Sequence, residues 1–529
     1  MSLKKFLERS FYIVFILAPC ALAIVMATNY IARFHAADYI ASIILFAIVV
    51  LCSIFLLFHL TVKSGLKSEI AIVALLTLCA FLYRMLIVDY ADAVPESDFR
   101  LAYENAKLWA EEGYCAVPRY IQYPYWGLWV YVINCVFRIT GSTSLKTAQM
   151  INICLGTFML PLLYAIARNT FYEIKDSFPY KKISFASAII YCFWPGISLY
   201  TGVLTNEFIT SFWAAIAILV LTVAHKWKVQ GKPHAKIYAL YLCAGVSLGI
   251  MNCFKSIASI ILIAWIISLV FCEILPHIRK MRKKDWLHYL ILILSVVFLQ
   301  VAVSQAGIYF LANLMGVSKA EMNPSVVWRT IYVGLNVEDN GKLGEDSRAV
   351  SKEIGQSPVN EQNELWKKAA LKSISENYSQ YPSLFLKKFD EEWGSEKSFI
   401  THGFRRSLDL SEEESEYYDN VMDYNRLPVY NAFTVYYIMV LLFCILSSLF
   451  SIRYRNLFAL FICSLSIFGF MLVELIMEAQ NRYKSVIYFA LAVLVGPGIY
   501  MIYRILKKST DMIIKFFLKS TIRIRRKSP

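Results

Sequence analysis

The chain has 529 residues, of which 58% are hydrophobic and only 17% charged, and its mean hydropathy is +0.52. A soluble globular chain carries about 25% charged residues, so a soluble enzyme is excluded. The formal net charge of +15 is dispersed in short clusters between apolar runs, which excludes the single basic face of a nucleic-acid-binding domain.

In chain order, residues 11–31 and 40–62 read as two uncleaved N-terminal membrane helices, the first too long for the core of a signal peptide. Further apolar runs follow at 70–88, 151–168, 183–203, 207–224, 256–275 and 287–311, and three more lie within 431–503. A helix needs about 20 residues to cross about 30 Å of hydrocarbon, and backbone groups in lipid must be paired internally. The expected fold is therefore an all-α polytopic membrane protein of about 12 transmembrane helices. Most of the cysteines, such as Cys79, Cys154 and Cys444, sit inside these runs as small hydrophobes.

Basic clusters assign the sidedness. Lys4, Lys5 and Arg9, then Arg168 to Lys182, Lys226 to Lys236, Arg279 to Lys284, and Arg453 with Arg455 all belong inside by the positive-inside rule. That pattern holds only if residues 123–140 do not cross. Their short length, Pro124, Gly127 and crowded aromatics (Tyr123, Tyr125, Trp126, Trp129, Tyr131) suit an interfacial helix in the first outer loop. Both chain ends then face the cytoplasm, which suggests a bacterial cytoplasmic membrane with the functional site on the outer face.

These assignments divide the chain. Residues 1–68 hold the two extra helices, and 69–315 a membrane core with the first outer loop at 89–145. An outer segment follows at 316–430, the last three spanning helices at 431–503, and a basic amphipathic tail at 504–529.

Polar features gather at the outer ends of the runs rather than at mid-membrane. Arg84, Glu207, Lys255, Glu474 and Glu478 all lie there, and Asp98 opens a helix expected over residues 99–112 and ended by Gly113. Pro95 ends the preceding segment and Ser97 or Asp98 is placed to cap the new helix. From spacing alone, Asp98 is either that cap or a functional carboxylate.

The stretch Ser97-Asp98-Phe99-Arg100-Leu101-Ala102-Tyr103, the later Tyr123-Pro124-Tyr125-Trp126, the hairpin Trp194-Pro195-Gly196 to Thr205-Asn206-Glu207, and Glu478-Ala479-Gln480-Asn481-Arg482-Tyr483 together resemble type C (GT-C) glycosyltransferases. Within these the chain is similar to the protein O-mannosyltransferase and aminoarabinose transferase group (glycosyltransferase family 39-like). Phe99 departs from that group, which usually has Glu there, and so do the two extra N-terminal helices.

The resemblance implies a GT-C-like bundle with interfacial helices in its first large outer loop and a longer outer loop before the last three helices. It implies transfer of a sugar, with inversion, from a polyprenyl-phosphate-linked donor to a hydroxyl of a glycan, lipid or protein acceptor. Asp98 is the implied base. Tyr103, Tyr123, Glu207, Lys255, Arg482 and Tyr483 are the implied substrate- and donor-binding residues, with Arg405 and Arg406 as further cations. The residues specify no cofactor and no His-built metal site is expected, while a carboxylate-held divalent ion is compatible with the composition. The expected partners are the lipid-linked donor, the acceptor and the bilayer. The rival reading is a lipid-linked-sugar flippase or another polytopic transporter, which requires functional charge at mid-bilayer.

Overall fold

The computed structural model describes residues 66–113, 120–121, 123–172, 179–319, 322, 326–394, 396–404, 428–453 and 458–525. The two expected N-terminal helices and Arg405/Arg406 lie outside them. All regular structure among the described residues is helical: α1 Leu66–Ala91, α2 Ser97–Glu112, α3 Pro124–Thr140, α4 Leu145–Phe171, α5 Tyr180–Cys192, α6 Pro195–Tyr200, α7 Glu207–Val229, α8 His234–Phe254 and α9 Ala258–Leu269. After a π-turn at Val270–Ile274 come α10 Lys283–Met315, α11 Val326–Gly334, α12 Glu345–Gly355, α13 Val359–Asn377, α14 Tyr381–Trp393, α15 Lys397–Gly403, α16 Pro428–Arg453, α17 Phe458–Ile476 and α18 Tyr488–Arg525.

Eight helices among the described residues are long and apolar enough to cross a membrane: Lys67–Ala91, Leu145–Phe171, Glu207–Val229, His234–Phe254, Ala258–His277, Lys283–Met315, Phe458–Ile476 and Tyr483–Ser509. The protein is an all-α polytopic membrane protein. Its helices run between two ends that side-chain pairs make identifiable. At one end Arg168 of α4 meets Glu69 of α1 (3.2 Å) and Lys226 of α7 donates to Asn169 of α4 (3.0 Å). At the other, Lys146 meets Asp89 (2.8 Å) and Lys255 meets Glu207 (3.0 Å). The latter is called here the site end, the former the far end.

The Asp89–Lys146 pair closes the first loop. The chain leaves α1 and enters α4 at the same end, so α2 and α3 between them make no net crossing. They form a hairpin: Arg138 of α3 donates to the Trp109 carbonyl of α2 (3.0 Å), and Trp129 Nε1 donates to Leu204 O (3.1 Å) in the turn before α7. α2 ends as its sequence predicts, at Gly113 with φ +85°, where a residue with a Cβ would be strained.

Three details differ from the expectation. The cap of α2 is Glu96, with an extended backbone, so Ser97 and Asp98 are already in the first turn. The helix starts early because Phe99 N (2.9 Å) and Arg100 N (3.2 Å) both donate to Glu96 O. The run at 183–203 is two helices, α5 and α6, because Pro195 cannot continue α5. The tail does not begin a new element at 504: α18 continues to Arg525 as one helix of 38 residues.

The segment expected to lie outside forms, over α11 to α13, a small helical body. Tyr332, Val333, Ile354, Trp366 and Ala370 form its own core, while α14 and α15 fold back onto the bundle. Trp393 of α14 and Phe399 of α15 belong to the main core with the membrane helices.

Candidate functional site

The site end is assembled from helix termini, where the chain turns and polar groups need partners. Glu207 opens α7. Its neighbour Asn206 donates to Phe254 O (2.6 Å), tying the start of α7 to the end of α8. Lys255 follows directly, in extended conformation at φ −159°. Its Nζ donates to Glu207 Oε1 (3.0 Å) and lies 4.0 Å from the centre of the Tyr483 ring. Burial lowers the Lys255 pKa from its ordinary value, with Glu207 pulling the other way. Glu207 Oε2 has no hydrogen-bond partner among the described residues.

Arg482 sits in the turn between α17 and α18. Its guanidinium carbon lies 4.8 Å from the Phe99 ring and 5.5 Å from that of Tyr483, and Nε donates to Gln480 Oε1 (2.6 Å). Burial works against its charge, but Tyr200, Tyr483, Glu207 and Asp98 more than offset this and hold its pKa above the usual arginine range. Asp98 is half-buried beside this group. Its charge acts on Arg482 and also raises Tyr125, whose phenol is pushed up chiefly by burial.

Five of the residues expected from sequence therefore come together: Asp98, Glu207, Lys255, Arg482 and Tyr483. Tyr123 stands at the rim, where its hydroxyl accepts from Arg329 Nη1 of α11 (2.6 Å). Tyr103 is placed otherwise. Its hydroxyl donates to Thr143 O (2.9 Å) and its ring packs edge-on against Phe137 at 6.1 Å, so it braces the corner between α2, α3 and α4.

Sequence reasoning missed Phe99, Arg329, Gln480 and the pair Glu96–His402 (2.8 Å). Phe99 was legible only as a departure from the family pattern. In the structure its ring is the platform on which Arg482 rests, with His402 edge-on at 5.5 Å on the same ring. The Trp194-Pro195-Gly196 turn also acquires a reason. Trp194 Nε1 donates to Glu396 Oε1 (2.9 Å), and a Cβ on residue 196 would fall 2.4 Å from Glu396 Oε2. Among the described residues no three His, Cys, Asp or Glu side chains converge with the spacing of a metal site.

Chemically, the arrangement offers one half-buried carboxylate, one buried guanidinium on an aromatic platform, and an ammonium–carboxylate pair with one oxygen unused. Such a set can hold a phosphate beside a hydroxyl that loses its proton. No family model and no curated protein matches the chain. Solved structures of the Archaeoglobus fulgidus oligosaccharyltransferase show a partial likeness. The form tethered with an acceptor peptide is 15% identical over 81% of this chain and 50% of that one, with a TM-score of 0.42. The apo form is 13% identical over 82% and 52%, with a TM-score of 0.43. The complex with an inhibitory peptide and a dolichol-phosphate is 13% identical over 82% and 52%, at 0.41. No family follows from this. The chain spans about half the length of those proteins, and the chemistry must be argued from its own residues.

Proposed function

We propose that the protein is a GT-C-type membrane glycosyltransferase that moves a sugar from a polyprenyl-phosphate-linked donor to a hydroxyl acceptor, with inversion, at the site end of the bundle. The observation that carries this reading is the gathering of cations and carboxylates at one end of the bundle: Arg482 rests 4.8 Å from the ring of Phe99, the residue after Asp98, and shares the Tyr483 ring with Lys255, which is paired with Glu207. In the proposed step the Asp98 carboxylate takes the acceptor proton, and the freed oxygen attacks the anomeric carbon opposite the bond to phosphate. That bond breaks with its electron pair passing to the polyprenyl phosphate. The leaving phosphate gains a negative charge, which the Arg482 guanidinium meets without needing an acid. Lys255 is already paired with Glu207. Its role is to orient that carboxylate, whose unused oxygen is placed to accept a sugar hydroxyl.

One observation favours the transporter reading. Arg84 is fully buried in α1, and none of its nitrogens has a hydrogen-bond partner among the described residues. It lies beside the break between α5 and α6, and a buried charge next to an interrupted helix is a feature of transport paths. Mass spectrometry of polyprenyl-phosphate sugars separates the two. Cells carrying Asp98→Asn and cells lacking the protein should both accumulate one glycosyl carrier that wild-type cells consume. A transporter would leave the Asp98→Asn cells like wild type, and that result would exclude transfer by this carboxylate.

A further inference from the structure

Arg482 is carried on a turn, and a group mounted on a loop is ordinarily placed less well than one on a helix. Two side chains clamp this turn from opposite directions. Lys388 of α14 reaches beneath the end of α17, where its Nζ donates to Leu475 O (2.8 Å), Met477 O (2.5 Å) and Gly334 O (2.8 Å), the last of these closing α11. Carbonyls at a helix C-terminus have no partner within their helix, and a cation there also meets the negative end of the helix dipole.

The reverse clamp is Asn481. Its Nδ2 donates to Glu391 O and Glu392 O (both 2.9 Å) in the last turn of α14, and its Oδ1 accepts from Ser398 N (3.3 Å) in the first turn of α15. The outer segment thus caps α17, and the turn after α17 caps the outer segment. Lys388 and Asn481 are only 1% and 4% exposed, so water does not compete for these bonds. Ala479 N adds a bond to Gly341 O (2.8 Å). Arg482 is the residue immediately after Asn481.

We infer that this reciprocal cap is the positioning device of the site: Asn481 and Lys388 act through Arg482, holding its guanidinium where the phosphate of the donor binds. The inference rests on the donor reading above. It goes beyond it in assigning the precision of the site to side chains that touch no substrate.

The test uses the full chain in lipid nanodiscs and a polyprenyl monophosphate, the leaving group, as probe. Dissociation constants and melting temperatures are measured together. Arg482→Ala is expected to weaken binding by about tenfold or more. Asn481→Ala should weaken it by a similar factor, and the double variant should bind no worse than Arg482→Ala alone, because both changes act on one interaction. Ser398→Pro removes the backbone N–H that donates to Asn481 Oδ1 in the first turn of α15. It should weaken binding by about two- to threefold, and it stands in if Asn481→Ala does not fold. Tyr436→Phe, which removes a buried bond to Ile190 O (2.7 Å) away from the turn, should lower the melting temperature and leave binding unchanged. Wild-type binding in Asn481→Ala or Ser398→Pro, beside weak binding in Arg482→Ala, overturns the positioning role and leaves the donor reading standing. Losses that multiply in the double variant overturn it as well. Wild-type binding in Arg482→Ala overturns the donor reading, and the positioning role with it.

Discussion

The two ends of the bundle use the same residue types in different ways. At the far end, buried carboxylates are enclosed. Glu273, set in the π-turn after α9, meets His225 Nδ1 (2.7 Å) on one oxygen, and Lys228 with Tyr289 on the other. Glu69 accepts from Tyr164 (2.8 Å) and Arg168 (3.2 Å) and is paired with Lys181. These groups hold α1, α4, α5, α7, α9 and α10 together. At the site end Glu207 engages Lys255 through one oxygen only, and the Arg482 guanidinium rests 4.8 Å from the ring of Phe99, the residue after Asp98. A charge pair that is enclosed stabilises, whereas one left partly open is available for chemistry.

Variants should separate the two ends, and the largest effect is expected at the far one. Glu273→Ala leaves Lys228 and His225 without their carboxylate, and breaking a buried pair in this way costs about 3–5 kcal/mol. The expected outcome is loss of folded protein in a detergent melting series, with normal transfer per folded molecule. Glu207→Gln should reverse the balance. It costs about 1–3 kcal/mol of stability, because Lys255 is still 18% exposed, and it should lower transfer by more than tenfold in a coupled assay. A Glu207→Gln variant with full activity would make the site end as purely structural as the far end.

A pH effect of intermediate size is expected beneath the site. The Glu396 carboxyl is pushed up from its ordinary 4.5 to about 8 by burial, against the pull of Lys484. The folded state therefore binds this proton more tightly than the unfolded chain. Its contribution to stability is fully present below pH 4.5 and is lost as pH rises towards 8. Glu396→Gln cannot titrate, so its melting temperature should gain on wild type across that interval; parallel profiles would contradict the assignment. The smallest effect is expected from Phe99→Leu, which removes a cation–π platform with a value of about 0.5–2 kcal/mol. Weakening of polyprenyl-phosphate binding by a few-fold, with a small fall in melting temperature because Phe99 is buried in the main core, is the predicted result.

The contrast also explains what was legible in the sequence. Apolar runs report crossing helices because lipid forces internal pairing, and the basic clusters indicated that residues 123–140 do not cross, which the Asp89–Lys146 contact reproduces. Asp98, Glu207 and Lys255 stood out because each sits at a helix end, where a charge in an apolar chain is conspicuous, whereas Arg482 was reached through the resemblance carried by Arg482-Tyr483. Their partners were not legible because they come from distant segments. His402 reaches Glu96 across 306 positions, Arg329 reaches Tyr123 across 206, and Trp194 reaches Glu396 across 202. Asn481 was legible only as part of the motif that ends in Arg482-Tyr483, and the partners of Lys388 were not legible, since a lysine on an amphipathic helix reads as solvated until its carbonyl partners are seen. Tyr103 was implied only by the resemblance, and its hydroxyl is committed to Thr143.

The most direct measurement incubates purified protein with the glycosyl carrier that accumulates in cells lacking it, together with a membrane extract as the source of acceptor. Released polyprenyl monophosphate is then quantified by mass spectrometry. The account predicts steady release by wild type and none above background by Asp98→Asn of equal melting temperature and equal affinity for the carrier. Release by Asp98→Asn at the wild-type rate would contradict it.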